Sequence, residues 1–441
     1  MGWQKTILVT SLAIAILTLP VSMSLCHGAL VIYMIAWGCE GRWREKAELL
    51  RGHPFIWVFV VFLLLHVIGI SYSEDIANGW FNVEKKLFFF LLPAIFATTL
   101  SLDKKTIQLA FKAFIFTCVV TTLYCLAAAF YQTQTSQTQN NFDHVTLSLY
   151  QQLNPEANFS WMFFSYIELA SRIGMHPTYL ALYLVFSVLL LIHLFAESFI
   201  SFRPVKKVGI ILLFFYLEII IVLLSSRIII LAFAIITITG LIYILGFLKV
   251  KPVLQTVIVT MVLGPILFIL LFNPVTRYRN IQEPAAEETY LPSEDGIYSY
   301  STGIRKSLWM LGLSVIRESN PVIGVGTGDV KVAMKEMSQR SGLNNILHSY
   351  DPHNQFLYTQ IGLGIVGLMM LLICLYFPIW TALRHKNYFY LGFMLIFTLV
   401  SATESVLESQ KGIVFFAIFN SMLVFPYSKL SMTSLKKLAY G

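Results

Sequence analysis

Charged residues are scarce in this chain, at 12% of 441 residues. A soluble domain carries roughly 25%, so a soluble globular core is excluded. Paired cysteines are missing too. The five present, Cys26, Cys39, Cys118, Cys125 and Cys374, are scattered through apolar sequence with no C-x-x-C spacing. Neither a disulfide framework nor a zinc site is indicated. No D-x-D, no H-E-x-x-H and no clustered His/Cys set occurs, so no metal-binding constellation is visible and no cofactor is expected. Gly324, Gly326 and Gly328 alternate before Asp329, but without G-x-G-x-x-G spacing or its strand–turn–helix context they do not make a nucleotide loop. A flexible or close-packed turn returning the chain to the membrane surface is the better account. No internal repeat or coiled coil is present.

What the chain has is hydrocarbon. Hydrophobic residues make up 57% of it, and apolar runs recur near 6–23, 25–39, 55–71, 86–100, 108–131, 175–198, 207–224, 228–247, 253–272, 357–380, 388–403 and 412–427. A helical span needs roughly 20 such residues. The expected fold is therefore an all-α integral membrane protein with about twelve transmembrane helices. Lys5, Arg42, Arg44, Lys46, Arg51, Lys104, Lys105, Arg203, Lys206, Lys207, Lys249, Lys251, Arg384, Lys386, Lys436 and Lys437 fall on one side if the spans alternate. That side is cytoplasmic by the positive-inside rule, and both termini go with it. The first apolar stretch lacks a small-x-small cleavage site and reads as an uncleaved anchor. The formal charge of +8 reflects this topology, and a nucleic-acid partner has little support.

Two outer stretches are too long for simple turns, 132–170 and 273–356. The chain thus divides into a membrane domain over 1–272, a large outer loop over 273–356, and last spans with a tail over 357–441. Loops this long in compact proteins are usually functional. Within the second, Ile304, Leu308, Leu311 and Val315 recur near the 3.6 period beside Trp309, which predicts an amphipathic helix.

Several polar residues could carry chemistry. Arg227 interrupts an otherwise apolar run, where an arginine costs a few kcal/mol unless paired or solvated. It marks a tight outer turn at Ser225-Ser226-Arg227 and is either a snorkelling anchor or a functional cation. Arg305 and Lys306 open the loop helix, and Arg277 and Arg279 stand where the loop leaves the membrane. Guanidinium forks suit phosphate, although Arg277 and Arg279 read better as contacts to lipid head groups. His353 has the chemistry to take a hydroxyl proton at neutral pH, or it is a structural histidine at a helix entry. His348 is a second candidate, and Asp351 and Asn354 could orient the ring. His176 stands at the entrance of a span, lining a cavity or satisfied at the interface. Glu404, Glu408 and Lys411 lie in the last outer loop, where the two glutamates would share a face if the segment is helical. They could hold sugar hydroxyls or neutralise arginines.

The spacing His353-Asn354, nine residues, Gly364, two residues, Gly367 fits H-[NSQ]-x9-G-x-x-[GTY] and resembles the signature of the bacterial O-antigen ligases. The S-S-R placement of Arg227, the R-x-x-x-W from Arg305 followed by P-x-x-G-x-G, and the HPTYLA segment at His176 are also similar to segments of that family. The resemblance implies a GT-C-like membrane glycosyltransferase whose large loop, with amphipathic helices, is periplasmic. It implies transfer of a glycan from undecaprenyl diphosphate to a sugar hydroxyl of lipid A–core oligosaccharide, at the outer face of the inner membrane. Arg227 and Arg305 would clamp the diphosphate while His353 activates the acceptor, with inversion. His348, Asn354, His176 and Glu404 would help bind substrate, and membrane lipids are the remaining partners. An O-antigen polymerase or a protein O-oligosaccharyltransferase would use the same donor with another acceptor. A non-enzymatic flippase or transporter would instead need mid-span charges and paired broken helices.

Overall fold

The computed structural model describes residues 2–53, 55–99, 102–135, 160–195, 202–247, 249–283, 301–342 and 350–427. Among these residues every regular element is a helix, the form in which a backbone satisfies its own polar groups where hydrocarbon offers it no water. The chain divides into two compact units, one of Met1–Leu19, Met23–Ala110 and Tyr290–Gly441, the other of Pro20–Ser22 and Phe111–Thr289. The first opens with α1 (Gly2–Thr18), α2 (Met23–Cys39), α3 (Trp43–Arg51), α4 (Ile56–Ile70), α5 (Ile76–Lys85) and α6 (Leu87–Thr98). The chain then runs through α7 (Lys104–Thr135) into the second unit, with α8 (Tyr166–Ser171), α9 (Pro177–Phe195), α10 (Pro204–Leu223), α11 (Arg227–Phe247), α12 (Pro252–Phe272) and the short α13 (Pro274–Arg277). It returns to the first unit as α14 (Ser301–Glu318), α15 (Val330–Arg340), α16 (Gln355–Arg384), α17 (Tyr388–Ser401) and α18 (Gln410–Met422).

The described residues of every stretch expected to span lie mostly on helices. Five of these helices, α7, α9, α11, α12 and α16, are long and apolar enough to cross a membrane, or six if α2 and α3, bent by 106°, count as one span. α10 matches them in length, with 20 residues, but carries Lys206, Lys207 and Glu218; most of the others are shorter. α4, with 15 residues, rises only about 22 Å at 1.5 Å per residue, against a hydrocarbon core of ~30 Å. Side-chain oxygens cap several starts: Asp75 accepts from Asn78 N at 2.9 Å, and Asn387 accepts from Tyr390 N at 3.1 Å.

The amphipathic reading of the loop helix holds. Leu308, Leu311 and Val315 of α14 are buried against Val330, Met334 and Met337 of α15 and Tyr358 and Ile361 of α16, with Ile304 at the edge. α15 repeats the same helical spacing, and the sequence reading passed over it.

Between α14 and α16 lies the main irregularity of this unit. Gly364 stands at φ 61°, ψ −162°, inside α16, so the helical ladder is open there. The segment 320–329 closes it. Val325 N donates to Ile361 O and Gly326 N to Gly362 O, both at 2.9 Å, while Ile365 N donates to Pro321 O at 2.9 Å and Val366 N to Val322 O at 3.3 Å. The other side of the same segment is bound to α4 and α5. Thr327 Oγ1 donates to His66 O at 2.7 Å, Gly328 N to Ser73 Oγ at 3.0 Å, and Asn82 Nδ2 to Thr327 O at 3.0 Å. Asp329 accepts from the backbone N–H groups of Glu74 and Asp75 at 2.7 and 2.9 Å. The glycines are required by contact. A Cβ on Gly324 would meet Ile361 O at 2.4 Å, and one on Gly364 would meet the Val322 carbonyl at 2.2 Å. The alternating glycines are thus a close-packed strap. The transport reading needs a pair of broken helices open to a cavity; the break at Gly364 is sealed by backbone.

Gly364→Ala should therefore cost far more than a positive-φ substitution in open space. Gly174, at φ +57° with nothing within 4 Å of a Cβ, is the control, worth roughly 1–2 kcal/mol of conformational penalty. Thermal unfolding in detergent should show Gly364→Ala melting well below Gly174→Ala. Equal losses would mean that the strap yields freely.

Candidate functional site

The break in α16 lies one helical segment beyond its N-terminus, where the polar residues gather. Asn354 caps α16, its Oδ1 accepting from Phe356 N at 3.0 Å and Leu357 N at 3.1 Å. The preceding His353 is left-handed, at φ 43°, and its N–H donates to Asp351 Oδ1 at 2.8 Å. Non-glycine residues hold that conformation only when their surroundings impose it, most often at functional sites. The imposing neighbour is the loop 402–409 between α17 and α18. Asn354 Nδ2 donates to Ala402 O at 3.0 Å, Ser405 Oγ to Asp351 Oδ1 at 3.1 Å, and Leu407 N to Gln355 Oε1 at 2.7 Å.

This clamp presents Glu404 to two cations. Its Oε1 accepts from Arg305 Nη2 at 2.7 Å, and its Oε2 lies 3.1 Å from His353 Nδ1. A carboxylate only accepts, so Nδ1 carries the proton in the neutral ring and Nε2 holds the lone pair. Nε2 has no hydrogen-bond partner among the described residues. The Glu404 side chain is 8% exposed, while His353 and Arg305 keep 30% and 32%, so the carboxylate is interior and the cations face outward. Burial pushes the His353 pKa down and Arg305 adds to that. The hydrogen bond to Glu404 and the charges of Glu404 and Asp351 outweigh both, and the net direction is up.

Glu408 organises a second cationic group. Lys86 Nζ lies 2.8 Å from its carboxylate, Lys85 Nζ 3.7 Å, and Gln355 Nε2 donates to it at 3.4 Å. The two glutamates do not share an α-helical face, because Ala402–Ser405 is a turn followed by a 3₁₀ turn over Val406–Glu408. They point to different cations instead. The cavity behind Lys86, lined by His66, Gln355 and Thr359 among others, is about 10 Å³, room for one water and none for a sugar. The sequence does not single out these two lysines.

Arg227 belongs to the other unit. Ser225, at φ 52°, makes the turn, held by its Oγ donating to Thr276 Oγ1 at 3.1 Å. Arg227 then opens α11, its Nε donating to Arg279 O at 2.8 Å and its Nη2 to Glu283 Oε2 at 2.6 Å. Arg279 itself is buried, its guanidinium 3.3 Å from the Tyr166 ring centroid. It is thus no head-group contact, and its neighbour Arg277 is the exposed one. His176, also in this unit, is exposed and accepts from Thr178 N through Nδ1 at 3.3 Å at the start of α9. His348 and the acidic residues Glu287, Glu288, Glu294 and Asp295 lie outside the described residues. The structure therefore brings together His353, Arg305, Glu404 and Asn354, and groups Arg227 with Arg279 and Glu283.

Several apolar helices of membrane-crossing length, and a polar cluster at the entrance of one of them, define a multi-pass membrane protein. Residues 208–372 match the family model described as O-antigen ligase. That match supports a ligase- or polymerase-type glycosyl transfer. The matched segment holds Arg227, Arg305, His353 and Gly364, and ends before Glu404. A comparison with curated proteins gives no match.

Glu404→Gln should lower the His353 pKa, since burial and Arg305 would then be opposed by Asp351 alone. The sign for stability follows. A folded pKa raised above the unfolded value stabilises below the unfolded pKa, and that contribution is lost as pH rises through the folded one. Wild-type melting temperature should fall as pH climbs upward from about 6.5, and the fall should shrink in Glu404→Gln. ¹³C-histidine NMR gives the same shift directly. An unchanged His353 titration in the variant would break the link.

Proposed function

We propose that this protein is an O-antigen ligase, moving a glycan from undecaprenyl diphosphate to a sugar hydroxyl of lipid A–core oligosaccharide. The acceptor hydroxyl gives its proton to His353 Nε2. Its oxygen bonds to the anomeric carbon from the face opposite the diphosphate, and the carbon–oxygen bond to phosphate breaks with its electron pair leaving on the diphosphate. Arg305 stabilises that developing charge, and the reaction is inverting and metal-independent. The observation that carries the reading is Glu404, shared between His353 Nδ1 and Arg305 Nη2. One buried carboxylate fixes the tautomer of a base and the aim of a cation. The topology belonging to this reading has about twelve spans in the inner membrane, cytoplasmic termini and 273–356 in the periplasm.

The acceptor is tested by giving purified protein a lipid-linked glycan with lipid A–core, a second lipid-linked glycan or a peptide, with excess chelator in every tube. Mass gain on lipid A–core is expected. Gain on the second lipid-linked glycan would make it a polymerase, and gain on the peptide a protein glycosyltransferase. In the same assay His353→Ala should lower the rate by about two to four decades with donor binding kept, and the acidic limb of the rate profile should disappear. Lost donor binding with an unchanged profile would make His353 a phosphate ligand or a fold element.

Arg227 is proposed to bind a phosphate of a lipid-linked substrate through the fork that Glu283 occupies. Arg227→Lys keeps the charge but loses the fork. Each charge-assisted hydrogen bond is worth about 1.5–3 kcal/mol, hence one to two decades in rate if made in the transition state. A fully active lysine variant at normal expression would reduce Arg227 to an anchor of its turn.

A further inference from the structure

The described residues of the first unit hold a cation that no catalytic role above uses. Lys86 takes the nearer place on Glu408, at 2.8 Å, and Lys85 stands at 3.7 Å from the same carboxylate and donates to Asn82 Oδ1 at 3.0 Å. Two lysines on one carboxylate leave a positive charge over. Glu84, beside Lys85 in sequence, is exposed and makes no ion pair with either lysine. Lys331 adds repulsion. Burial lowers the Lys85 pKa, Glu408 raises it, and Lys86 and Lys331 lower it again, for a net shift downward. An ammonium held 13% exposed under these conditions has only a share of one carboxylate, with Lys86 in the nearer place.

The same helix offers hydrocarbon. α5 has 10 residues, about 15 Å, too short to span. It buries Gly79, Asn82 and Val83 and leaves Ile76, Trp80 and Phe81 at 56%, 54% and 59% exposed. An amphipathic helix of this kind lies along the membrane interface with its apolar face among acyl chains. Its charged end and apolar face adjoin, because Lys85 Nζ sits 5.4 Å from the Phe81 ring centroid.

We propose that Lys85, backed by Lys86, and the exposed face of α5 form a subsite for a prenyl diphosphate, with the diphosphate on Lys85 and the isoprenoid chain along Trp80 and Phe81. The subsite deepens the donor assignment above and rests on it. A diphosphate meets the surplus charge of the lysine pair, and a single thin chain suits a face only two turns long.

The test is equilibrium binding of radiolabelled farnesyl diphosphate to the full chain in lipid nanodiscs, with inorganic pyrophosphate and phosphatidylglycerol as competitors. Lys85→Gln should weaken binding by about ten- to a hundredfold, and Lys85→Arg should restore most of it. Trp80→Ala should weaken farnesyl diphosphate but not pyrophosphate. Unchanged binding in Lys85→Gln overturns the subsite. Equal competition by phosphatidylglycerol does so as well, since the lysines would then hold any anionic head group. If the subsite fails while wild-type protein still glycosylates lipid A–core, the functional reading stands without it; if no acceptor is glycosylated, that reading fails by itself.

Discussion

A helix that opens among packed apolar side chains must find hydrogen bonds for the backbone it exposes, and the arrangement of polar residues in the first unit depends on how α16 does so. Each unsatisfied peptide group would cost several kcal/mol there. Segment 320–329 supplies both donors and acceptors, and only glycine lets two backbones come that close. The His-Asn…Gly signature thus has two parts of different kinds. The glycine end is a packing requirement, and the His-Asn end is where the proposed chemistry is placed. They appear together because the first fixes where the second stands.

With α16 fixed by the strap on one side, its N-terminus can grip the loop 402–409 on the other. Asp351, Asn354 and Gln355 each bond to that loop. Their grip forces His353 into a left-handed backbone. The electrostatic result is economical, as one short loop brings in two interior carboxylates and each orders a pair of cations. Charges buried this way are strongly destabilising when one partner is removed, so the cations cannot drift from their positions without loss. Such rigidity suits a reaction in which the protein has to wait, already oriented, for charge to appear on a leaving group.

Much of this was legible in the sequence. Hydrocarbon content located the long apolar helices but not the shorter α3, α5, α8 and α15, and the period of Ile304, Leu308, Leu311 and Val315 located the face that α14 buries. His353, Arg305 and Glu404 could each be singled out by residue type and place. Their triangle could not, since it joins points about fifty residues apart through a turn that the sequence leaves open between helix and loop. The strap was readable in kind, as glycines packed closely, but its partner was not, because backbone-to-backbone bonds leave no mark in side-chain identity. Lys85 and Lys86 were missed for the opposite reason. Lysines before a span are so common that the unusual feature, two sharing one carboxylate, exists only in three dimensions. Arg279 was misread because an arginine beside a membrane is expected to face head groups, whereas here an aromatic ring takes it inside.

The sharing of Glu404 also sets up a contest. Arg305 and His353 draw on the two oxygens of a single carboxylate, so whatever strengthens one claim weakens the other. In the proposed reaction a proton arrives on His353 as the acceptor attacks, and the new imidazolium pulls harder on Glu404. Arg305 is then held less firmly at the moment when negative charge is growing on the departing diphosphate. In that reaction the carboxylate would couple base and cation, the arrival of a proton on His353 loosening its hold on Arg305 without displacing it.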